Sequence, residues 1–307
     1  MAIENKEILV TGGAGFIGSN LVARLSEKNH VYVLDSLQTG SLHNIDGLSN
    51  VEFIKDYAKN VSNYCINPDY IFHIGVYSSS PMYRSNPFLV SEAIHDMIAI
   101  LELAKKSKTP VVFASTSSIY NGVKPPHREN VTPLVSDYYT EARISMERIS
   151  ELYSKLYDIN ISAMRFFSIY GYREMKKRMY ANLVSQFLWD MHSKKSPIIY
   201  GDGEQRRDFV FVDDVVDALI LAAEKSDGFQ VYNVGTGVNY SLNELVQKLN
   251  KYLGSNIEPK YVENPMAKTY VHETLADTNK AEKMIGFRAK ISLDEGIKRL
   301  ISYYGYA

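Results

Sequence analysis

The segment "EILVTGGAGFIGSNL" constrains the fold more than any other part of the chain. An apolar, strand-like run ends in a glycine turn, and a helical pattern opens directly behind it. Gly13, Gly15 and Gly18 stand in a G-x-G-x-x-G spacing, with Gly12 before them and Phe16 and Ile17 between. Glycines so placed allow a tight turn, close approach of backbone N–H groups to a bound group, and helix-on-strand packing. The N-terminus of the helix adds unpaired N–H groups and the positive end of its dipole, which suit a pyrophosphate. The next strand-like run, "HVYVLD", ends at Asp35. A carboxylate there accepts both hydrogen bonds of an adenosine ribose and repels a 2′-phosphate, so the expected dinucleotide is NAD rather than NADP.

Further strand-like runs follow at "VEFIK", "YIFHIGV", "PVVFAS" and "ISAMRFF". Helical patterns at 16–28, 87–106 and 138–157 separate most of them. Continuous apolar strands with helices between them predict a parallel sheet covered on both faces. Right-handed crossovers then make it doubly wound. After about Gly171 the alternation loosens, and "PIIYGDGEQRRDFVFVDDVVDALILAAEK" reads as a loop, a strand and a helix. Two more helices are expected at 242–253 and 293–304. The fold class is therefore α/β, with a doubly wound parallel Rossmann sheet and a smaller, non-contiguous α/β substrate domain. The sheet is expected in residues 1–170 with a returning segment at about 205–235, and the substrate domain mainly in 171–307.

Composition removes several classes of function. With 307 residues the chain can bury one large core or two modest ones, and its net charge of −1 offers no basic footprint for nucleic acid or membrane. No apolar run approaches the roughly 20 residues of a spanning helix. "MAIENKEILV" carries no secretory pattern, so a cytoplasmic location is the default expectation. The single cysteine, Cys65, excludes an intrachain disulfide and a cysteine-cluster metal site, and burial is its expected role. His95 and His127 have no metal-spaced partners, so no metal is expected.

"TGGAGFIGSNL", "FASTSSIY", Tyr139-x-x-x-Arg143 and "GDGEQRRDFVFVDDVVDA" occur in that order along the chain. Together they resemble the extended short-chain dehydrogenase/reductase family, and within it the nucleotide-sugar epimerases of the UDP-glucose 4-epimerase type. The resemblance implies NAD held by Gly12, Gly13, Gly15, Phe16, Ile17, Gly18, Asp35 and Ser36. Asp56 and Tyr57 after the third strand, Ile74 and Gly75 after the fourth, and Tyr139 and Arg143 complete that set. Catalysis would fall on Tyr139, Arg143 and Thr116, with Glu147 at a position where the family commonly has glutamate. Substrate contacts would fall on Ser117, Ser118, Ser168, Asn182, Leu183, Arg207 and Lys268, the two basic residues facing a diphosphate. The implied partner is a nucleotide sugar, a UDP-hexose foremost. A homodimer would form through helices 87–106 and 138–157.

Several positions depart from the family pattern. Arg143 stands where lysine is usual, and Ser168 and Ala93 stand where asparagines are common. Gly75-Val76 replaces a pair of alanines, and "NPMAKTYVHETLAD" lacks an Arg-x-Gly-Asp motif. The arginine bears directly on chemistry. A phenol titrates near pH 10, so a base working near pH 7 needs roughly 4 kcal/mol from its surroundings. A unit charge about 5 Å away at an effective dielectric of 20 supplies roughly 3 kcal/mol. Guanidinium is always charged, but its planar donors point in fixed directions. The exchange is expected to keep the base and perturb cofactor orientation. Alone, the Tyr-x-x-x-Arg spacing would favour an exposed helix pair, and it is its place between "FASTSSIY" and "SAMRFFSIYG" that favours catalysis.

The implied reaction interconverts UDP-galactose and UDP-glucose at C4 through a 4-keto intermediate. Dehydration is disfavoured, because Ser117 and Ser118 occupy the places where a dehydratase has an acid pair. Two other readings stay open: a nucleotide-sugar reductase or dehydrogenase that releases NADH, and a non-catalytic NAD or nucleotide-sugar binder. Among minor motifs, the "KKR" at 176–178 either closes over an anionic nucleotide or is a solvated loop. His73 is expected as a packed strand-end residue and Trp189 as core.

Overall fold

The computed structural model describes residues 3–134, 137–264 and 271–306. Its first half runs β1 (Glu7–Thr11), α1 (Phe16–Leu25), β2 (His30–Leu34), β3 (Val51–Ile54), β4 (Tyr70–His73), α2 (Ser80–Ser85), α3 (Leu89–Lys105), β5 (Val111–Thr116), α4 (Tyr138–Tyr157) and β6 (Ile161–Phe166). Then come β7 (Ser168–Tyr170), α5 (Leu183–His192), β8 (Ile198–Tyr200), β9 (Arg206–Arg207), β10 (Phe209–Phe211), α6 (Val212–Lys225) and β11 (Phe229–Val234). The chain ends with β12 (Tyr240–Ser241), α7 (Leu242–Leu253), β13 (Lys260–Val262), α8 (Asn279–Ile285) and α9 (Leu293–Tyr304).

Seven strands form one parallel sheet in the order β11-β6-β5-β4-β1-β2-β3. Successive side chains on a strand point to opposite faces, and both faces here are apolar. Ile8, Val10, Val31, Val33, Val112 and Met164 face one layer, which also contains side chains of α1 and α6. Leu9, Ile71, Val111, Phe113, Ile161 and Ala163 face the other, which contains side chains of α3 and α4. This is a Rossmann-like α/β fold. The first layer continues into α5, α7 and α9, so the C-terminal elements share its apolar core. The small pairs β7–β10, β8–β13 and β9–β12 lie outside the main sheet.

Strand order reverses at β1, which lies between β4 and β2. The crevice beyond the carboxyl ends of strands at such a switch point is where doubly wound sheets take ligands. Cys65 departs from expectation: it is exposed, on the short connection into β4. Among the described residues no helix is long and apolar enough to cross a membrane.

Candidate active site

The glycine loop is built by contact as much as by turning. Gly12 has φ +67°, and a Cβ on it would lie 2.4 Å from the Cα of Gly75, so the loops after β1 and β4 touch backbone to backbone. That contact explains a glycine at position 75. A Cβ on Gly18 would lie 2.1 Å from the Gly12 carbonyl oxygen, which fixes the start of α1 against the loop. Gly13 packs beneath, against the Val33 side chain. Gly15 caps α1 without a side-chain hydrogen bond, and the first turn holds no acidic residue. Such a turn leaves backbone donors and positive dipole charge for an anion.

A cleft opens over this loop. Of the cofactor residues expected from sequence, Gly12, Gly15, Phe16, Ile17, Gly18, Asp35, Ser36, Asp56, Tyr57, Ile74 and Gly75 line it. Gly13 does not, because it is packed under the loop, and Tyr139 and Arg143 do not either. Thr11, Gln38, Tyr77, Ser78 and Asp96 also line it and were not anticipated as cofactor contacts, and so does Lys177, for which closure over an anionic nucleotide was one of two expectations. Lys177 is the "KKR" residue that turns inward.

Asp35 Oδ2 accepts the Ala14 N–H at 3.0 Å, and Oδ1 accepts the Leu37 N–H at 2.7 Å. Burial pushes this carboxyl above the ordinary range, while the N–H groups of Leu37, Ala14 and Gly15 pull it back. A carboxylate has about four acceptor positions, so capacity remains for a ligand hydroxyl. Asp56 is largely engaged by its own turn: it accepts from the Tyr57 N–H at 2.7 Å, Asn60 Nδ2 at 2.7 Å and the Tyr64 hydroxyl at 2.8 Å. These bonds, led by that of Asn60, hold its carboxyl below the usual range.

Across the switch point, Thr11 Oγ1 accepts the Gly75 N–H at 3.2 Å and lies 2.7 Å from His73 Nδ1. His73 is fully buried, and burial with the nearby Arg143 charge pushes it down to about 3. It is a neutral strand-end residue, as expected. Beyond it, the Tyr77 hydroxyl donates to Glu92 Oε2 at 3.0 Å and accepts from Gln38 Nε2 at 3.2 Å, spanning the cleft mouth.

Asp137 begins α4 by accepting the Thr140 N–H at 2.9 Å, which sets Tyr139 in the first turn. Arg143 lies one turn on, its guanidinium carbon 5.0 Å from the centroid of the Tyr139 ring. The guanidinium is not on the surface: Arg143 is 2 % exposed, and its Nη2 donates to the Tyr77 carbonyl at 2.8 Å. Arg143 therefore joins α4 to the loop after β4. Tyr139 is half-buried against Tyr83, with ring centroids 5.5 Å apart. Thr116 closes β5, and its Oγ1 accepts the Ser118 N–H at 3.1 Å. Glu147 pairs with Arg165 at 2.7 Å.

Ser117, Ser118, Ser168, Asn182, Leu183 and Arg207 are all half-buried, and none of them lines the cleft. Asn182 caps α5, with Oδ1 accepting the Val184 N–H at 3.0 Å. Arg207 donates to the backbone carbonyls of Arg206 at 2.9 Å and Val271 at 2.5 Å. Ala93 is fully buried in the layer beneath α3 and offers no polar group. Lys268 lies outside the described residues. Among those described, no group of three or more His, Cys, Asp or Glu could hold a metal ion.

The site is thus a cleft over a glycine loop, joined to the Tyr139–Arg143 pair of α4 through the Tyr77 carbonyl, and comparison with known proteins gives it a class. Residues 8–235 match the model of the NAD dependent epimerase/dehydratase family. The chain belongs to this family and is an enzyme of it, with NAD as cofactor. It is 34% identical to a putative UDP-glucose 4-epimerase of Methanocaldococcus jannaschii, over 96% of this chain and 97% of the relative. It is 31% identical to a UDP-glucuronate 4-epimerase of Thermodesulfobacterium geofontis, over 96% of this chain and 95% of the relative. The crystal structure of the Thermotoga maritima UDP-glucose 4-epimerase with UDP-glucose superposes with a TM-score of 0.91 at 32% identity, covering 97% of this chain and 98% of that one.

Proposed function

We propose that this enzyme epimerises a nucleotide sugar, interconverting UDP-galactose and UDP-glucose at C4 through a 4-keto intermediate. The observation that carries the reading is the pairing of Tyr139 with Arg143, 5.0 Å from ring centroid to guanidinium carbon, in the opening turns of α4. In this reading the glycine loop, Asp35 and the Ile74–Gly75 edge hold NAD, which when bound supplies a reversible hydride acceptor. Tyr139 takes the proton of the sugar hydroxyl and returns it, and the Arg143 charge favours the phenolate. Thr116 donates a hydrogen bond to the oxygen as charge develops on it. Asn182, Leu183 and Arg207 take the nucleotide diphosphate, with Ser117, Ser118 and Ser168 along the sugar. Remote binding of the diphosphate keeps the keto sugar in the site while it turns. The homodimer belongs to the same reading, supported by Ile98, Leu152 and Leu156 standing exposed on α3 and α4.

The UDP-glucuronate relative supports a second reading, C4 epimerisation of a uronic sugar on the same machinery. Conversion of UDP-galactose and of UDP-glucuronate, each with added NAD, separates the two. Loss of conversion in Tyr139→Phe is expected. Retention of full conversion by that variant would remove Tyr139 from the mechanism. Conversion of neither sugar by NAD-loaded protein would remove both readings.

A further inference from the structure

Lys177 belongs to the segment 175–180, which is remote in sequence from the glycine loop yet lines the same cleft. Its side chain is only 17% exposed, and Nζ lies 5.5 Å from the ring centroid of Phe16, the first residue of α1. An ammonium is thereby held beside the positive end of a helix whose cap has no side chain and whose first turn has no acid. Two positive features together are unfavourable unless an anion comes between them.

Glu174 only partly answers that need. Its Oε1 lies 3.8 Å from Lys177 Nζ, a long contact. The same oxygen accepts the Asn182 N–H at 2.7 Å, and Oε2 accepts the Ser185 hydroxyl at 2.6 Å. Glu174 is fully buried, so it anchors the stem of this loop while leaving Lys177 with donors to spare. Immediately after Lys177 the backbone bends through Arg178 at φ +49° and ψ −119°, a conformation that costs a non-glycine residue energy. Among the described residues lining the cleft, Lys177 is the one lysine or arginine, against the carboxylates of Asp35, Asp56 and Asp96.

We propose that Lys177 is a cofactor-binding residue, donating to the diphosphate of the dinucleotide opposite the N-terminus of α1. The proposal rests on the cleft being the NAD site. Through Glu174 and Asn182 the same loop would also tie cofactor binding to the start of α5, where the sugar nucleotide is expected.

The test compares dissociation constants for NAD, ADP-ribose and adenosine in nucleotide-free wild type, Lys177→Ala and Lys177→Arg, at low and high salt. Lys177→Ala is expected to weaken NAD and ADP-ribose roughly tenfold. Adenosine should be unchanged, Lys177→Arg should recover most of the loss, and the salt dependence should flatten in Lys177→Ala. Equal weakening of adenosine would make Lys177 a structural residue and overturn the proposal, as would unchanged affinity for all three. Wild type that binds none of them would instead overturn the cleft's assignment to NAD.

Discussion

Glu147 and Arg165 form a two-point ion pair inside the protein, Nε donating to Oε1 at 3.0 Å and Nη2 to Oε2 at 2.7 Å. Ser115 Oγ donates to the same Oε1 at 2.5 Å, and Arg165 Nη1 donates to the Tyr120 hydroxyl at 2.9 Å. Tyr120 in turn donates to Asn233 Oδ1 at 2.6 Å. The helix that carries Tyr139 is thus tied to β5, β6 and β11 by one buried network. Removing one partner leaves the other charge uncompensated, which costs about 3–5 kcal/mol, whereas replacing both with apolar groups costs far less. Urea unfolding of Arg165→Met, Glu147→Leu and the double variant checks this. A double variant no more stable than the worse single one would contradict it.

The contact between Gly18 and the Gly12 carbonyl gives a second expectation. A methyl at position 18 has 2.1 Å to that oxygen, so α1 must move off the loop. Gly18→Ala is expected to fold with a lowered melting temperature and to lose at least about tenfold in NAD affinity, since the backbone donors of α1 shift with it. Fluorescence titration with NAD reads this directly. Wild-type affinity in Gly18→Ala would show that the start of α1 does not face the cofactor.

Much of this architecture was legible because local chemistry and global fold agree. The helices 138–157, 242–253 and 293–304 fall where expected, and Asp137, Ser241 and Ser292 each cap one with a side-chain acceptor. Six apolar runs became six neighbouring strands, and the seventh, "FQVYNV", lay within the segment expected to return. Three features were not legible, for a shared reason. Asp96 reaches the cleft from a helix whose sequence carries no cofactor pattern. The side-chain spacing placed Arg143 beside Tyr139, but only the path of the loop after β4 puts the Tyr77 carbonyl under its guanidinium. Cys65 was expected inside on residue type alone, yet it sits on a short surface connection.

Asp96 should leave a mark on stability against pH. It is 6 % exposed, accepts the Lys59 N–H at 2.8 Å, and burial pushes its carboxyl up to about 6. An acid whose folded value is raised holds its proton more tightly in the fold than in the unfolded chain. Its contribution is therefore best below the ordinary aspartate range and is lost as pH rises from about 4 through about 6. The loss amounts to roughly 3 kcal/mol. His73 acts in the opposite sense: held neutral down to about 3, it favours the fold above about pH 6.5 and loses that contribution as pH falls. Asp96→Asn keeps an acceptor for Lys59 and leaves His73 in place. It is expected to raise the melting temperature near pH 7.5 and to change it little near pH 4. An equal change at both would place the effect in packing rather than ionisation.

Arg143 sets the sharpest test of the chemistry, because its burial gives it two separable roles. It packs on the Tyr139 ring and bonds the Tyr77 carbonyl, and it also sets a fixed positive charge beside the proposed base. Arg143→Met fills similar space without charge. If the charge supplies roughly 3 kcal/mol to a phenolate base, its loss lowers kcat about 100-fold. Arg143→Lys restores the charge on a shorter, more flexible stem and is expected to recover turnover to within about tenfold. Both variants are to be measured on whichever UDP-sugar the wild type converts, alongside their melting temperatures. Turnover that follows melting temperature, with Arg143→Met as active as Arg143→Lys, would reduce Arg143 to a packing residue. Turnover that follows charge at equal stability would establish that arginine serves here where the family pattern has lysine.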